Sequence, residues 1–210
     1  MSQKKIFLID EGDSYYKRNL LMHDNKNHNF ICQKILELSK NKKKINILEI
    51  GCGRGDLLKK FYNLEKSFKL FGIDPSKQAI KSNKNKHIKL KRGTADSLPF
   101  NDKNFDFVIF GFCLYLVDKD LLFKVVSEAD RVLKFSGNIL IYDFYSKNSS
   151  VSKYSHNKSV KTHKMNFSKL FINHPFYKII YKKFGDHTDI NKKPKVPRNL
   201  ISLFILKKNV

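Results

Sequence analysis

The chain has 210 residues, of which 41% are hydrophobic and 13% aromatic, and this composition predicts one packed domain and excludes a disordered chain. The length suits a single α/β domain with a sizeable core and is short for two domains. No apolar run approaches the roughly 20 residues that span a bilayer, the first residues lack the features of a secretory signal, and the three cysteines have neither paired nor metal-like spacing. We therefore expect a cytoplasmic protein with reduced thiols, no membrane span and no bound metal.

The formal net charge is +23, and two explanations of it stay open. Only five of the 42 basic residues are arginine, whereas lysine, asparagine and isoleucine are abundant, which is the pattern that an A+T-rich genome encodes. Lysine is also the weaker residue for bidentate recognition of phosphate. Compositional drift is the favoured explanation, and attraction to an anionic partner is the alternative. In either case the charge predicts non-specific attraction to nucleic acid.

The N-terminal segment, residues 1–44, combines a polar aromatic cluster with a helix. The cluster carries Tyr15, Tyr16 and Arg18, and residues 29–39 place apolar side chains at helical spacing. The cluster is either part of a surface helix that packs on the domain or a lid over a bound ligand, where an aromatic face can meet a cation. We assign the whole segment as a helical lid or cap.

A strand, a glycine turn and a helix then follow in direct succession. Residues 45–50 predict a buried strand, and glycines stand at alternate positions after it, at Gly51, Gly53 and Gly55. Glycine permits positive φ and close approach of a ligand, and the free N–H groups of the helix's first turn favour an anion. A dinucleotide fingerprint would require a small residue where the chain has Asp56, so the turn predicts a different nucleotide-like ligand.

Two acidic side chains follow the next two strands. Asp74 stands at the tip of the second strand, where a carboxylate can accept both ribose hydroxyls of a nucleotide. It can in addition cap the helix that Pro75 opens. Asp96 follows the third strand in a short polar stretch that is either a turn or part of the ligand site.

The remaining residues continue the alternation of strands and helices over a single domain, residues 45–210. The predicted strands are 45–50, 69–73, 88–91, 105–110, 139–144, 176–184 and 200–207. The predicted helices are 29–39, 55–64, 119–133 and 166–173. A glycine turn at Gly137 is expected to end the third of these helices, and residues 145–164, rich in Ser, Asn and Lys, predict an exposed loop.

Four motifs in this order resemble class I S-adenosylmethionine-dependent methyltransferases. They are Glu49-x-Gly51-x-Gly53-x-Gly55, Asp74, Asp96-x-Leu98-Pro99-Phe100 and Phe105-Asp106-x-Val108. The resemblance implies an enzyme with S-adenosylmethionine as methyl donor. It also implies a doubly wound, mostly parallel seven-stranded sheet, Rossmann-like, with an antiparallel last strand. Residues 129–137 resemble the broad small-molecule branch of these enzymes, the type 11-like branch.

The resemblance also implies which residues bind the cofactor, with Asp96 on the exocyclic amine of adenine. The predicted cofactor-binding residues are Glu49, Gly51, Cys52, Gly53, Gly55, Asp74, Pro75, Ala95, Asp96, Ser97, Phe112 and Tyr16. The loop after the fourth strand is expected to face the methyl acceptor.

No residue receives a catalytic role from the sequence. His156, His163 and Tyr115 are candidates for a general base, but scattered histidines are more often surface residues. Cys113 lacks the preceding proline of C5-pyrimidine methyltransferases, and a lone buried cysteine is usually structural. The loop after the fourth strand also lacks the Pro-Pro-Tyr or Pro-Pro-Phe pattern of enzymes that methylate amino groups of DNA and RNA.

The acceptor is therefore expected to be a small molecule. The N-terminal cluster, together with residues 165–177, resembles a bacterial subgroup associated with surface-sugar biosynthesis, which implies a sugar nucleotide or glycan precursor. An RNA methyltransferase and a non-catalytic partner subunit with the same fold are the alternatives. No RNA-binding module is appended, and intact Gly51, Gly53, Gly55, Asp74 and Asp96 argue against the non-catalytic alternative.

Overall fold

The computed structural model describes residues 1–20, 26–40 and 44–209. The helices are α1 (Gln3–Ile6), α2 (Gly12–Arg18), α3 (Lys26–Ser39), α4 (Asp56–Leu64), α5 (Lys77–Ser82), α6 (Leu122–Val132) and α7 (Lys169–Ile172), with a π-helical turn at Phe7–Glu11 and 3₁₀ turns at Leu114–Leu116, Lys119–Leu121 and Pro197–Asn199. The strands are β1 (Asn46–Ile50), β2 (Lys69–Asp74), β3 (Ile88–Arg92), β4 (Phe105–Gly111), β5 (Leu133–Phe144), β6 (Ser150–Tyr154), β7 (Asn157–Lys164), β8 (Tyr177–Asp186) and β9 (Leu200–Lys208).

Seven of these strands form one sheet, in the order β3-β2-β1-β4-β5-β9-β8. The first five strands of this order are parallel, and β9 runs antiparallel to both β5 and β8. The predicted mostly parallel seven-stranded sheet with an antiparallel last strand is confirmed. The strand order reverses between β1 and β4, and ligands of doubly wound folds bind at such a switch point, beyond the carboxyl ends of the strands.

The central strands are buried on both faces, which explains their continuous apolar sequence. Ile47 and Leu48 are neighbours in β1, so their side chains point to opposite faces of the sheet, and both are fully buried. Ile47 belongs to the core beneath α3 and α4, and Leu48 belongs to the core beneath α6. Covering both faces in this way leaves the ends of the strands as the place for a site.

Strand β5 differs from the prediction at its beginning. It starts at Leu133, directly after α6, and not at Ile139. The predicted turn at Gly137 is wrong, because residues 134–137 form an irregular stretch inside β5. Gly137 serves close packing, since a Cβ there would lie 2.8 Å from the Leu133 side chain.

The predicted exposed loop over residues 145–164 is also wrong, because most of it forms the antiparallel β6–β7 hairpin. Val160 and Thr162, on either side of the exposed Lys161, turn their side chains inward, with exposed fractions of 0% and 8%. Two inward side chains among many polar residues give little apolar periodicity. The strand pattern was therefore hidden in the sequence.

The longest described helix, α3, has 14 residues. None of the described helices has the length and apolarity that crossing a membrane requires.

Candidate active site

The turn after β1 is built from three glycines with a left-handed backbone. Their φ values are 75° at Gly51, 54° at Gly53 and 82° at Gly55. Residues with a Cβ are strained in this region, so the chain uses glycine where it reverses from β1 into α4. The N–H of Gly51 donates to the carbonyl of Ile73 at 2.9 Å, which ties the turn to the end of β2.

The glycines of this turn differ in what surrounds them. A Cβ on Gly53 would have no atom within 4 Å, whereas a Cβ on Gly51 would lie 2.6 Å from the Cβ of Cys113. Gly51 is therefore required by packing against the loop after β4. Gly53 instead borders open space, into which a ligand can approach the backbone.

Asp74, at the end of β2, faces the same turn. Its Oδ2 accepts the N–H of Gly53 and its Oδ1 accepts the N–H of Ser76, each at 2.8 Å. Each oxygen keeps a lone pair for a further donor. Burial raises the pKa of Asp74 to about 6, against the opposing effect of the two backbone hydrogen bonds. The carboxyl group is therefore mostly ionised at neutral pH.

Asp96 is paired with a lysine of the N-terminal segment. Lys4 Nζ lies 2.7 Å from Asp96 Oδ2, and the aspartate side chain is only 4% exposed. Burial by itself would raise the pKa of Asp96, but the hydrogen bonds from Lys4 and Thr94 outweigh it and lower the pKa. A ligand amine that approaches this carboxylate meets the Lys4 ammonium at the same place.

One cavity at the switch point gathers half of the predicted cofactor-binding residues. Those in its wall are Gly51, Asp74, Pro75, Ala95, Asp96 and Phe112. They come from the C-terminal ends of β1, β2 and β4 and from the stretch after β3, which are far apart in the sequence. The sheet topology brings them together.

The other predicted residues lie outside the wall of this cavity. Gly53 and Gly55 shape the turn, and Cys52 packs into the core, where its Sγ would lie 2.5 Å from a Cβ on Gly72. Ser97 is exposed. The Tyr16 hydroxyl interacts with Arg54.

Glu49 is buried behind the turn, with an exposed fraction of 5%. Its Oε2 has no hydrogen-bond partner among the described residues. Burial raises the pKa of Glu49 well above its usual range, and the nearby Asp74 carboxylate adds to this. The side chain thus has an unused polar atom in a place where polar atoms are normally satisfied.

The N-terminal segment supplies one side of the cavity. Lys4, Phe7, Gly12 and Tyr15 line it. The lid hypothesis named Tyr15 and Tyr16 together, and the predicted cofactor-binding residues included Tyr16; the structure places Tyr15 and not Tyr16 in the wall, because neighbours on a helix point about 100° apart. Lys4 and Phe7 gave no signal, since one lysine among many and one phenylalanine carry no pattern.

Hydrogen bonds hold this segment across the ends of the strands. The Asp118 carboxylate accepts the N–H groups of Gln3 and Lys4 at 2.9 and 2.8 Å. The Gln3 side chain donates to the Leu116 carbonyl at 2.9 Å and accepts the N–H of Lys161 at 2.6 Å. One glutamine thus joins α1 to the loop after β4 and to strand β7.

A buried charged cluster joins the N-terminal segment to the β6–β7 hairpin. Glu11, 3% exposed, accepts hydrogen bonds from Arg18 and from Asn157. Arg18 also donates to the Tyr154 hydroxyl at 3.2 Å. Because a buried carboxylate requires such partners, this cluster fixes the hairpin and the segment as one cover.

None of the predicted general-base candidates lines the cavity. Tyr115 is buried and hydrogen-bonded to Tyr15, and burial raises the pKa of Tyr15 to about 12, so both hydroxyls stay protonated at neutral pH. His156 is exposed on the hairpin, and burial lowers the pKa of His163. Cys113 does line the cavity, but burial raises its pKa and keeps the thiol protonated.

The described part of the chain contains no group of three or more His, Cys, Asp or Glu side chains that can hold a metal ion.

Comparison with known proteins relates part of this chain to methyltransferases. A family model described as a methyltransferase domain matches residues 47–137. An uncharacterized protein of Methanocaldococcus jannaschii is 36% identical over 94 residues, which cover 45% of this chain and 42% of that protein. The ubiquinone/menaquinone biosynthesis C-methyltransferase of Hahella chejuensis is 34% identical over 109 residues, covering 47% of this chain and 43% of the relative. The chain therefore spans less than half the length of these relatives.

The fold also resembles that of solved structures. The 1,6-didemethyltoxoflavin-N1-methyltransferase of Burkholderia thailandensis, solved with 1,6-didemethyltoxoflavin and S-adenosylhomocysteine, superposes with a TM-score of 0.75. The superposition covers 98% of this chain and 88% of that chain at 14% identity. At this identity the likeness concerns the fold.

Proposed function

We propose that this chain, whose residues 47–137 match a family model described as a methyltransferase domain, is a class I S-adenosylmethionine-dependent methyltransferase that transfers the methyl group to a small-molecule acceptor. The observation that carries the proposal is the pairing of the glycine turn with Asp74. The N–H of Gly53 donates to Asp74, and Gly51 of the same turn and Asp74 both line the cavity at the switch point of the sheet.

The polar groups of the site fit this cofactor. Asp74 offers acceptors for ribose hydroxyls, Asp96 offers an acceptor for the adenine amine, and the unused Oε2 of Glu49 lies behind the turn that would hold the amino-acid part. A Cβ at Gly53 would project into open space beside the turn. When bound, the cofactor supplies an electrophilic sulfonium methyl group whose departure leaves a neutral thioether.

The residues of this chain then position the acceptor and exclude water. The N-terminal segment closes one side of the cavity with Phe7 and Tyr15, and the Glu11 cluster holds the hairpin against it. Bringing two reactants into line accounts for much of catalysis when the electrophile is already activated. Because the described histidines and tyrosines do not present a free base to the cavity, we propose no protein base for the transfer.

The cover also supports an acceptor of small size. The side of the cavity that Lys4, Phe7, Gly12 and Tyr15 line is covered by the N-terminal segment, which favours a small acceptor over a folded nucleic acid. We propose an anionic acceptor such as a sugar nucleotide or glycan precursor, in a bacterial subgroup that modifies surface sugars. The cationic side chain among the described residues of the cavity wall is Lys4, which is 36% exposed and paired with Asp96, and it supports an anionic group there.

An aromatic acceptor is the competing chemistry. The named relative from Hahella chejuensis acts in quinone biosynthesis, and the cavity wall contains the rings of Phe7, Tyr15 and Phe112. Aromatic walls bind flat apolar rings well. The experiment that identifies the acceptor must therefore offer the protein both anionic sugar derivatives and aromatic compounds.

The test incubates purified protein with methyl-labelled S-adenosylmethionine and separate small-molecule and RNA fractions of a cell extract, at about 0.15 M ionic strength. We expect label in an anionic small molecule, and no label with the Gly53→Val variant as matched control. Label in a quinol would overturn the sugar acceptor but not the methyltransferase. Label at one defined position of ribosomal or transfer RNA would overturn the small-molecule acceptor.

A further inference from the structure

A second groove lies at the opposite edge of the sheet from the methyl-transfer cavity. Its wall includes Asn46 and Lys69, the first residues of β1 and β2, whereas the cavity wall includes Ile50 and Asp74, the last residues of the same strands. Since a strand rises about 3.3 Å per residue, the two sites are separated by roughly the length of β1, about 13 Å.

Every charged residue among the described residues of this basic groove is a lysine. The lysines are Lys66, Lys69, Lys86 and Lys89, all of them exposed. None of the four forms an ion pair with a described residue, in contrast to Lys4, Lys34, Lys134 and Lys208, which pair with carboxylates. Two carboxylates lie beside the groove, Glu65 and Asp106, and each accepts a backbone N–H of a wall residue. Four ammonium groups around one depression still leave an excess of positive charge there.

Aromatic rings stand between these lysines. The exposed His87 ring lines the groove and stacks on Tyr62, with centroids 4.7 Å apart and planes inclined by 13°. Lys66 Nζ lies 3.7 Å from the centre of the Tyr62 ring, and Lys89 Nζ lies 5.6 Å from that of the half-buried Phe71. The Tyr62 ring covers one face of His87 and holds the ring in place at the groove, so only the other face is available to a ligand.

We propose that the basic groove binds single-stranded RNA, as a docking surface distinct from the methyl-transfer cavity. The four lysines contact phosphates, and His87 offers a stacking face to a base. Positive side chains alternating with ring faces in a concave surface are the combination that binds single strands without sequence preference. A lipid surface would require a flat or convex face, and an acidic peptide would have no use for the stacked ring.

Two matched variants separate RNA binding by the groove from the effect of the net charge. The groove variant is K66Q/K69Q/K86Q/K89Q. The control variant is K153Q/K158Q/K178Q/K182Q, which removes the same charge from exposed lysines on β6, the β6–β7 hairpin and β8. The probe is a fluorescently labelled oligouridylate of about 12 nucleotides, within the range of about 4 to 16 that single-strand-binding folds cover, and anisotropy is measured over a series of salt concentrations.

The groove variant is expected to bind more weakly, with a salt slope (log K against log salt) shallower by about 0.7 for each lost phosphate contact, or about 2.8 in total. The control variant should retain most of the wild-type slope. Equal losses in the two variants would show that net charge alone attracts RNA and would overturn the proposal.

A single substitution tests the stacking face. His87→Ala is expected to weaken oligouridylate binding on the order of fivefold or more, and His87→Phe is expected to restore it, because the ring is what the base contacts. Unchanged affinity in His87→Ala, or equal displacement by inorganic polyphosphate, which has no bases, would overturn the assignment to RNA. These measurements do not involve methyl transfer, so their failure leaves the proposed function standing.

Discussion

Replacing Asp74 with alanine removes the carboxylate that faces the glycine turn. The structure gives each carboxylate oxygen one backbone hydrogen bond at 2.8 Å, from Gly53 and from Ser76, and leaves each one free lone pair. A charged hydrogen bond contributes about 1.5–3 kcal/mol. Loss of the ribose contact should therefore weaken S-adenosylhomocysteine binding by about tenfold to a hundredfold. Titration calorimetry of wild type and variant measures this difference.

The pH dependence of the same affinity is a second, independent test of the role of Asp74. Burial places the pKa of Asp74 at about 6 in the free protein, and the ionised form is the better acceptor of ribose hydroxyls. The affinity for S-adenosylhomocysteine should therefore be independent of pH near 7.5, and it should fall as the pH drops through 6. If only the ionised form binds, the dissociation constant at pH 5 is about tenfold larger. Asp74→Ala should lose this pH dependence.

A matched control separates this effect from general destabilisation. Asp106 is also a buried carboxylate, 7% exposed, and accepts the N–H of Asn46 and the Lys134 ammonium at the opposite edge of the sheet. Both Asp106→Ala and Asp74→Ala should lower the free energy of unfolding, by about 1–3 kcal/mol. Only Asp74→Ala should also change the affinity for S-adenosylhomocysteine. Equal affinities of Asp74→Ala and wild type would refute the ribose assignment.

Three further predictions test the rest of the site. Gly53→Val should abolish S-adenosylhomocysteine binding while the protein stays folded, because a Cβ there meets no protein atom and positive φ costs only about 1–2 kcal/mol; unchanged affinity would remove the turn from the site. Asp96→Ala should reduce the affinity less than Asp74→Ala, because a single contact to the adenine amine is lost; the reverse order in calorimetry would exchange the ribose and adenine assignments. Tryptic cleavage after Lys17 and Arg18 should slow when S-adenosylhomocysteine is bound, since Tyr15 lines the cavity; equal rates in a gel time course would count against a lid over residues 1–18.

The parts of the fold that the sequence predicted are those with a strong local rule. The apolar runs of β1 and β4 are buried on both faces, so they read as strands without ambiguity. The positive φ values at Gly51, Gly53 and Gly55 explain why glycine recurs at alternate positions. Asp74 was predictable because it directly follows a recognisable strand.

The parts that were missed depend on contacts between distant segments. Lys4 meets Asp96 only because α1 crosses the ends of the strands. Asp118 holds α1 through backbone N–H groups, and such contacts do not depend on which side chains the helix carries, so the sequence does not predict them. The β6–β7 hairpin was missed because only alternate residues such as Val160 and Thr162 are buried. Gly137 was misinterpreted because glycine serves close packing as well as turns.

Titration calorimetry of the wild-type chain with S-adenosylhomocysteine, at about 0.15 M ionic strength, tests the central claim most directly. We expect saturable binding at one site for the wild type, and no binding heat for Gly53→Val although its thermal unfolding remains cooperative. A folded wild-type chain without saturable binding heat, or a Gly53→Val variant that binds as wild type does, would contradict that claim.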